Sequence, residues 1–323
     1  MVLSVRLRDV LIALDGELVR FPALEEEPLP QFPNLTNLGL MDAPGIPYNL
    51  DAMRALLEAA PKLKNIFACN GRRGERWDGH DRLAWHREGN PHEPLVQLKK
   101  LVVSDMYPVY LGDFLYSISD LEELEYYWQI FPRASTELGA IIKKTQATLK
   151  RLCFSFLPWP AWHLGPEPWF WYDLVDANVA PIESLAEFPK LEDITIDYRS
   201  LCRENQEDEY ERLTRFLPKT IRRLRISYVV CDMTKSLSHL AGTAKDDFSE
   251  LSSVVVGVPK WPDGTPDHLE VMRAKVASLF EDKGIDFGWR LENFGPEAHT
   301  IIPGATKPDL TPIPWKEEDE SAM

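Results

Sequence analysis

Residues 32–40 read FPNLTNLGL and residues 188–196 read FPKLEDITI. In each, apolar residues stand at positions one, four and six of a hexapeptide: Leu35, Leu38, Leu40 and Leu191, Ile194, Ile196. Working outward from these two, the same hexapeptide starts at Val2, Leu35, Leu63, Leu98, Leu121, Leu149, Leu191, Ile221 and Leu251, with spacings of 33, 28, 35, 23, 28, 42, 30 and 30 residues. At 44% apolar composition a single match arises by chance roughly one time in twelve, so one match decides nothing and the ordered series carries the argument. Most of the spacings fall near the period of stacked repeat architectures.

Between the hexapeptides lie segments with helical spacing. Asn49 to Ala60 places Met53, Leu56 and Leu57 on one face; Ser135 to Gln146 does so with Leu138, Ile141 and Ile142, and Asp208 to Leu217 with Leu213 and Phe216. Strands alternating with helices predict an α/β fold with one parallel sheet, in which each unit needs a neighbour to bury its apolar edge.

Seven of the pieces, FPNLTNLGL, APKLKNIFA, LVQLKKLVV, ISDLEELEY, QATLKRLCF, FPKLEDITI and KTIRRLRIS, resemble the leucine-rich repeat family over residues 2–257, in the irregular form found in fungal F-box-type proteins. The resemblance implies a solenoid of about nine irregular repeats, a curved parallel sheet with helices on its convex side. The family's turn asparagine is absent. One place before its expected position stand Asp9, Asp42, Asn70 and Asp105, then Trp128, Phe156, Tyr198 and Tyr228. The first four read as turn-capping side chains and the last four as a stacked aromatic spine.

If positions four and six point inward, positions three and five face the other side of the sheet. The third-position row runs Ser4, Asn37, Asn65, Lys100, Glu123, Arg151, Asp193, Arg223, Ser253, and its signs alternate from Lys100 to Arg223. With strands about 4.8 Å apart, such a row is close enough to neutralise itself, and it is also the strip a charged partner would read. The fifth-position row, Arg6, Gly39, Phe67, Val102, Glu125, Cys153, Thr195, Arg225, Val255, has no pattern. The 42-residue spacing after Leu149 holds Trp159, Trp162, Trp169 and Trp171 among four prolines. Such aromatics form either a local core or a binding hot spot, for a protein partner first and, as the weakest alternative, for a small molecule or an enzyme's substrate. The candidate partner-binding set is therefore these four tryptophans with Lys100, Glu123, Arg151, Asp193, Arg223 and Arg225.

Chemistry is scarce. The sequence has no GxSxG elbow, no GxxxxGK[ST] loop and no HExxH, and Cys153 reads as a small apolar filler, so no enzyme activity, cofactor or metal site is expected. His80, His86 and His92 are spaced too widely for a helical metal pair. A net charge of -15, from 51 acidic and 36 basic residues, argues against nucleic-acid and anionic-membrane binding. Four scattered cysteines without a CxxC pair, and no apolar run at the start, fit the cytoplasm or nucleus.

Beyond residue 257, Asp267 is expected to cap a helix running to about Lys283, with Leu269, Met272, Val276, Leu279 and Phe280 on one stripe and Gly284 as its stop. That makes residues 258–294 a capping helix with its flank, and residues 295–323, which finish KEEDESAM, a Pro/Gly-rich acidic tail expected to be disordered. In F-box proteins a helical module precedes the repeats and docks to a ubiquitin-ligase adaptor. No stretch here reads as that module, so the resemblance implies the substrate-holding half alone: a scaffold for a protein partner, with the ligase adaptor a second partner only where an F-box precedes the repeats.

Overall fold

The computed structural model describes residues 9–13, 31–41, 59–69, 98–104, 115, 118, 120–128, 139, 142–156, 182, 184–201, 210–259 and 264–292. They form an α/β protein on one parallel sheet whose ten strands lie side by side in sequence order. The strands are β1 Asp9–Ala13, β2 Asn37–Met41, β3 Asn65–Cys69, β4 Lys100–Ser104, β5 Glu123–Trp128, β6 Arg151–Phe156, β7 Asp193–Asp197, β8 Arg223–Ser227, β9 Ser253–Pro259 and β10 Asp286–Glu292. The described helices are α1 Tyr198–Leu201, α2 Arg212–Phe216, α3 Thr234–Asp247 and α4 Asp267–Glu281, with a 3-10 turn at Lys143–Thr145.

One local pattern sets the register. The carbonyl of the second-position residue accepts the N–H groups of both the second and third residues of the next unit: Lys99 from Glu122 and Glu123, Glu122 from Lys150 and Arg151, Lys150 from Glu192 and Asp193. The same fork recurs from Thr36 through Arg222. Ahead of it a tight turn returns the N–H of position one to a carbonyl three residues earlier, as in Leu35 to Phe32, Leu63 to Ala60 and Leu191 to Phe188. Pro33, Pro61 and Pro189 sit just after the accepting residue, where a fixed φ favours the turn. Register is set tightly because a slip of one residue would exchange the two faces of the sheet.

Burial follows the hexapeptide. At position one Leu63, Leu98, Leu121, Leu149, Leu191 and Ile221 are fully buried, as are Ile66, Leu124, Ile194, Ile196, Ile226, Val254 and Val256 at positions four and six. Leu237, Leu240, Ala241 and Ala244 of α3 and Leu269, Met272, Val276 and Phe280 of α4 complete the same cluster. Helix α2 packs on α3 and α3 on α4, so these helices line one face of the sheet. Tyr126 and Phe154, neighbours at position six, stack with ring centroids 5.5 Å apart.

Four expectations are corrected. The first strand is Asp9–Ala13, in register with Asn37–Met41, so its hexapeptide starts at Leu7 rather than Val2. Asp9 and Leu11 thus head the third- and fifth-position rows in place of Ser4 and Arg6, and Asp9 opens a strand. The sheet has a tenth strand, Asp286–Glu292, where a capping flank was expected. Helix α3 was missed, because only two leucines and two alanines of its 14 residues are buried. In α4, Asp267 is the first helical residue and not a side-chain cap, and Leu279 is exposed while the rest of the stripe is buried. Helix α4 ends as expected at Gly284, whose φ of 73° lies in the left-handed region. The N–H groups of Gly284 and Ile285 bond the carbonyls of Glu281 and Phe280, closing the last turn.

The expected helix over 208–217 is present as Arg212–Phe216. That over 135–146 is described only in part, ending in the 3-10 turn, and that over 49–60 lies outside the described residues except at its end. Tyr198 and Tyr228 of the expected aromatic spine are buried, while Asp42, Asn70 and Asp105 lie outside the described residues.

Candidate interaction face

The strands carry their third and fifth positions on the face opposite the helices. Pairing aligns Lys100, Glu123, Arg151, Asp193 and Arg223 on five successive strands, as the alternating signs required. Lys100 Nζ lies 3.5 Å from Glu123 Oε2 and 2.5 Å from Glu125 Oε1, Arg151 pairs with Glu123, and Arg223 Nη2 lies 2.6 Å from Asp193 Oδ2.

A second row, overlooked in the hexapeptide reading, runs in phase with the first at position two: Lys99, Glu122, Lys150, Glu192 and Arg222. Lys99 and Lys150 both reach Glu122, at 3.4 Å and 2.7 Å, and Arg222 bridges Glu192 at 3.6 Å and Glu250 at 2.7 Å. The signal was legible in the dipeptides themselves, Lys99-Lys100, Glu122-Glu123, Lys150-Arg151, Glu192-Asp193 and Arg222-Arg223. The hydrogen bond from Lys150 holds the Glu122 carboxyl below its ordinary pKa, and the same bond raises Lys150. Glu250 raises Arg222 likewise.

Around Cys153 the face is polar but unreactive. The thiol donates to the Tyr127 hydroxyl at 3.6 Å, which donates to Glu125 Oε2 at 2.9 Å. Burial pushes the thiol up to about 12, so it is protonated at neutral pH and a poor nucleophile. Burial, followed by Cys153 and Glu125, also pushes Tyr127 well above the ordinary phenol range.

Arg225 belongs to a different assembly. Its Nη2 lies 2.5 Å from Oε1 of Glu292, which reaches back from β10 across β9, and Glu292 Oε2 accepts the backbone N–H of Tyr228 at 3.0 Å. The carboxylate passes over Gly257, where a Cβ would overlap it. Tyr228, at φ 55°, is the only non-glycine with positive φ among the described residues. Its left-handed turn aims the N–H at Glu292. A glycine, a left-handed tyrosine and a glutamate 64 residues further on make no sequence motif, so this latch could not be read in advance.

Trp159, Trp162, Trp169 and Trp171 lie outside the described residues, as do His80, His86 and His92. Among the described residues no group of His, Cys, Asp and Glu could hold a metal ion, and no helix is long and apolar enough to cross a membrane. No family model matches the chain, and no curated protein or solved structure matches it.

Proposed function

We propose that the chain is a leucine-rich-repeat-like solenoid acting as a protein–protein interaction scaffold, whose partner lies across the sheet face opposite the helices. One observation carries the reading. The helices complete the core on one face, whereas the other presents polar side chains in register across at least five strands, with Arg151 and Arg223 exposed. Repeat folds of this kind use such extended surfaces for recognition. The high pKa of Cys153 favours binding over nucleophilic chemistry on this face.

The test compares proteins captured by the tagged full chain, by an Arg151→Ser/Arg223→Ser variant, and by a control that exchanges the exposed Glu270–Arg273 pair on α4 (Glu270→Arg/Arg273→Glu). Circular dichroism checks that each remains folded. A partner lost with the face variant and kept by the control supports the scaffold. A capture profile indifferent to the face substitutions overturns it.

A further inference from the structure

The charged pairs on the open face are not level. Arg151, Arg223 and Arg225 expose 55%, 62% and 38% of their side chains, whereas their carboxylate partners Glu123, Asp193 and Glu292 expose 21%, 27% and 8%. The acids are sunk and the guanidinium heads stand outward, so a formally neutral group of pairs presents a positive outer layer. Each guanidinium has five N–H donors, and each of these pairs reaches its acid through Nη2. Arg223 and Arg225 are two residues apart on β8, hence about 6.6 Å along the strand, and Arg151 is two strands away, about 10 Å across.

The chain contains a segment of matching charge and spacing. Glu317, Glu318, Asp319 and Glu320 are consecutive, so in an extended conformation alternate carboxylates would recur about every 6.6 Å, the interval between Arg223 and Arg225. The segment is also tethered close by. It follows Glu292 by 25 residues, a length that spans up to about 80 Å when extended, whereas β10 and β6 are four strands, about 19 Å, apart. A tether of this length holds its end at a high effective concentration over the face.

We propose that the acidic segment Glu317–Glu320 docks in cis on the Arg151, Arg223 and Arg225 heads and competes there with the partner. This rests on the scaffold reading above and adds regulation to the same face. An acidic stretch on the partner displaces the tail, and raised salt weakens both.

The test uses a synthetic peptide of residues 311–323, measured by fluorescence anisotropy against three full-length proteins. These are the native chain, a tail-neutralised chain (Glu317→Gln, Glu318→Gln, Asp319→Asn, Glu320→Gln), and the neutralised chain carrying Arg151→Ser/Arg223→Ser. The peptide is expected to bind the neutralised chain at least tenfold more tightly than the native chain, and to lose that binding with the arginine substitutions. No binding to the neutralised chain overturns the proposal. So does equal binding to native and neutralised chains, which would mean that acidic segments bind only in trans, and so does binding that survives loss of the arginines. Partner capture is read separately: indifference to Arg151→Ser/Arg223→Ser defeats the scaffold reading itself, whereas absence of peptide binding defeats the tail alone.

Discussion

Replacing Gly257 with alanine tests whether the Glu292 carboxylate ties β10 to the end of β8 across β9. A Cβ at Gly257 overlaps that carboxylate, so the side chain must leave. Expelling it strands the buried Tyr228 N–H, a loss of about 1–3 kcal/mol. The ion pair with Arg225 adds about 0.5–1 kcal/mol, a modest amount because that guanidinium is 38% exposed and well screened. Gly257→Ala should therefore cost about 0.5–3.5 kcal/mol, after subtracting the roughly 0.5–1 kcal/mol by which alanine in a strand is ordinarily favoured over glycine. Glu292→Ala removes the same contacts and should cost a similar amount. The decisive quantity is the coupling, measured by urea unfolding of both single variants and the double variant. Glu292→Ala removes the three atoms nearest to that Cβ, so the double variant should be little less stable than Glu292→Ala. Equal penalties for Gly257→Ala in both backgrounds would refute the latch and assign the glycine to some other cause.

Other outcomes follow from the same geometry. The lowered pKa of Glu122 means that its contribution to stability is present above its unfolded value of 4.5 and is lost as pH falls through the folded value; Glu122→Gln should flatten the acid limb of a stability-against-pH curve there, and an unchanged limb would count against the Lys150 bond. With its thiol at about 12, Cys153 should alkylate at pH 8 on the order of a thousandfold more slowly than a thiol at the ordinary value, read by peptide mapping; labelling at the ordinary rate would contradict its burial. Phe280→Ala should cost about 3–5 kcal/mol, since the side chain is fully buried and stacks on Phe287. Leu279→Ser, one residue away and exposed, should stay within about 0.5 kcal/mol. Comparable losses at both positions would mean that α4 is rotated from the orientation described.

Where sequence reading missed, the reasons are local. Val2, Val5, Leu7 and Leu7, Val10, Ile12 satisfy the same pattern in overlapping registers, and only pairing with β2 chooses between them. The tenth unit fails the pattern because its first position is Gly284, which the end of α4 requires in a left-handed conformation. Helix α3 buries little, so its periodicity is faint.

By itself the sequence determined the eight strands β2 to β9, their inward residues and the alternating charges of the third row, because strand periodicity and tight turns are written in neighbouring residues. Tertiary structure alone decided the starting register, the tenth strand, the outward stance of the arginines over sunken acids, and the bridge from Glu292 over Gly257 to Arg225 and Tyr228. These depend on which residues stand side by side on neighbouring strands and on how far each side chain reaches, and a pattern confined to one strand carries neither.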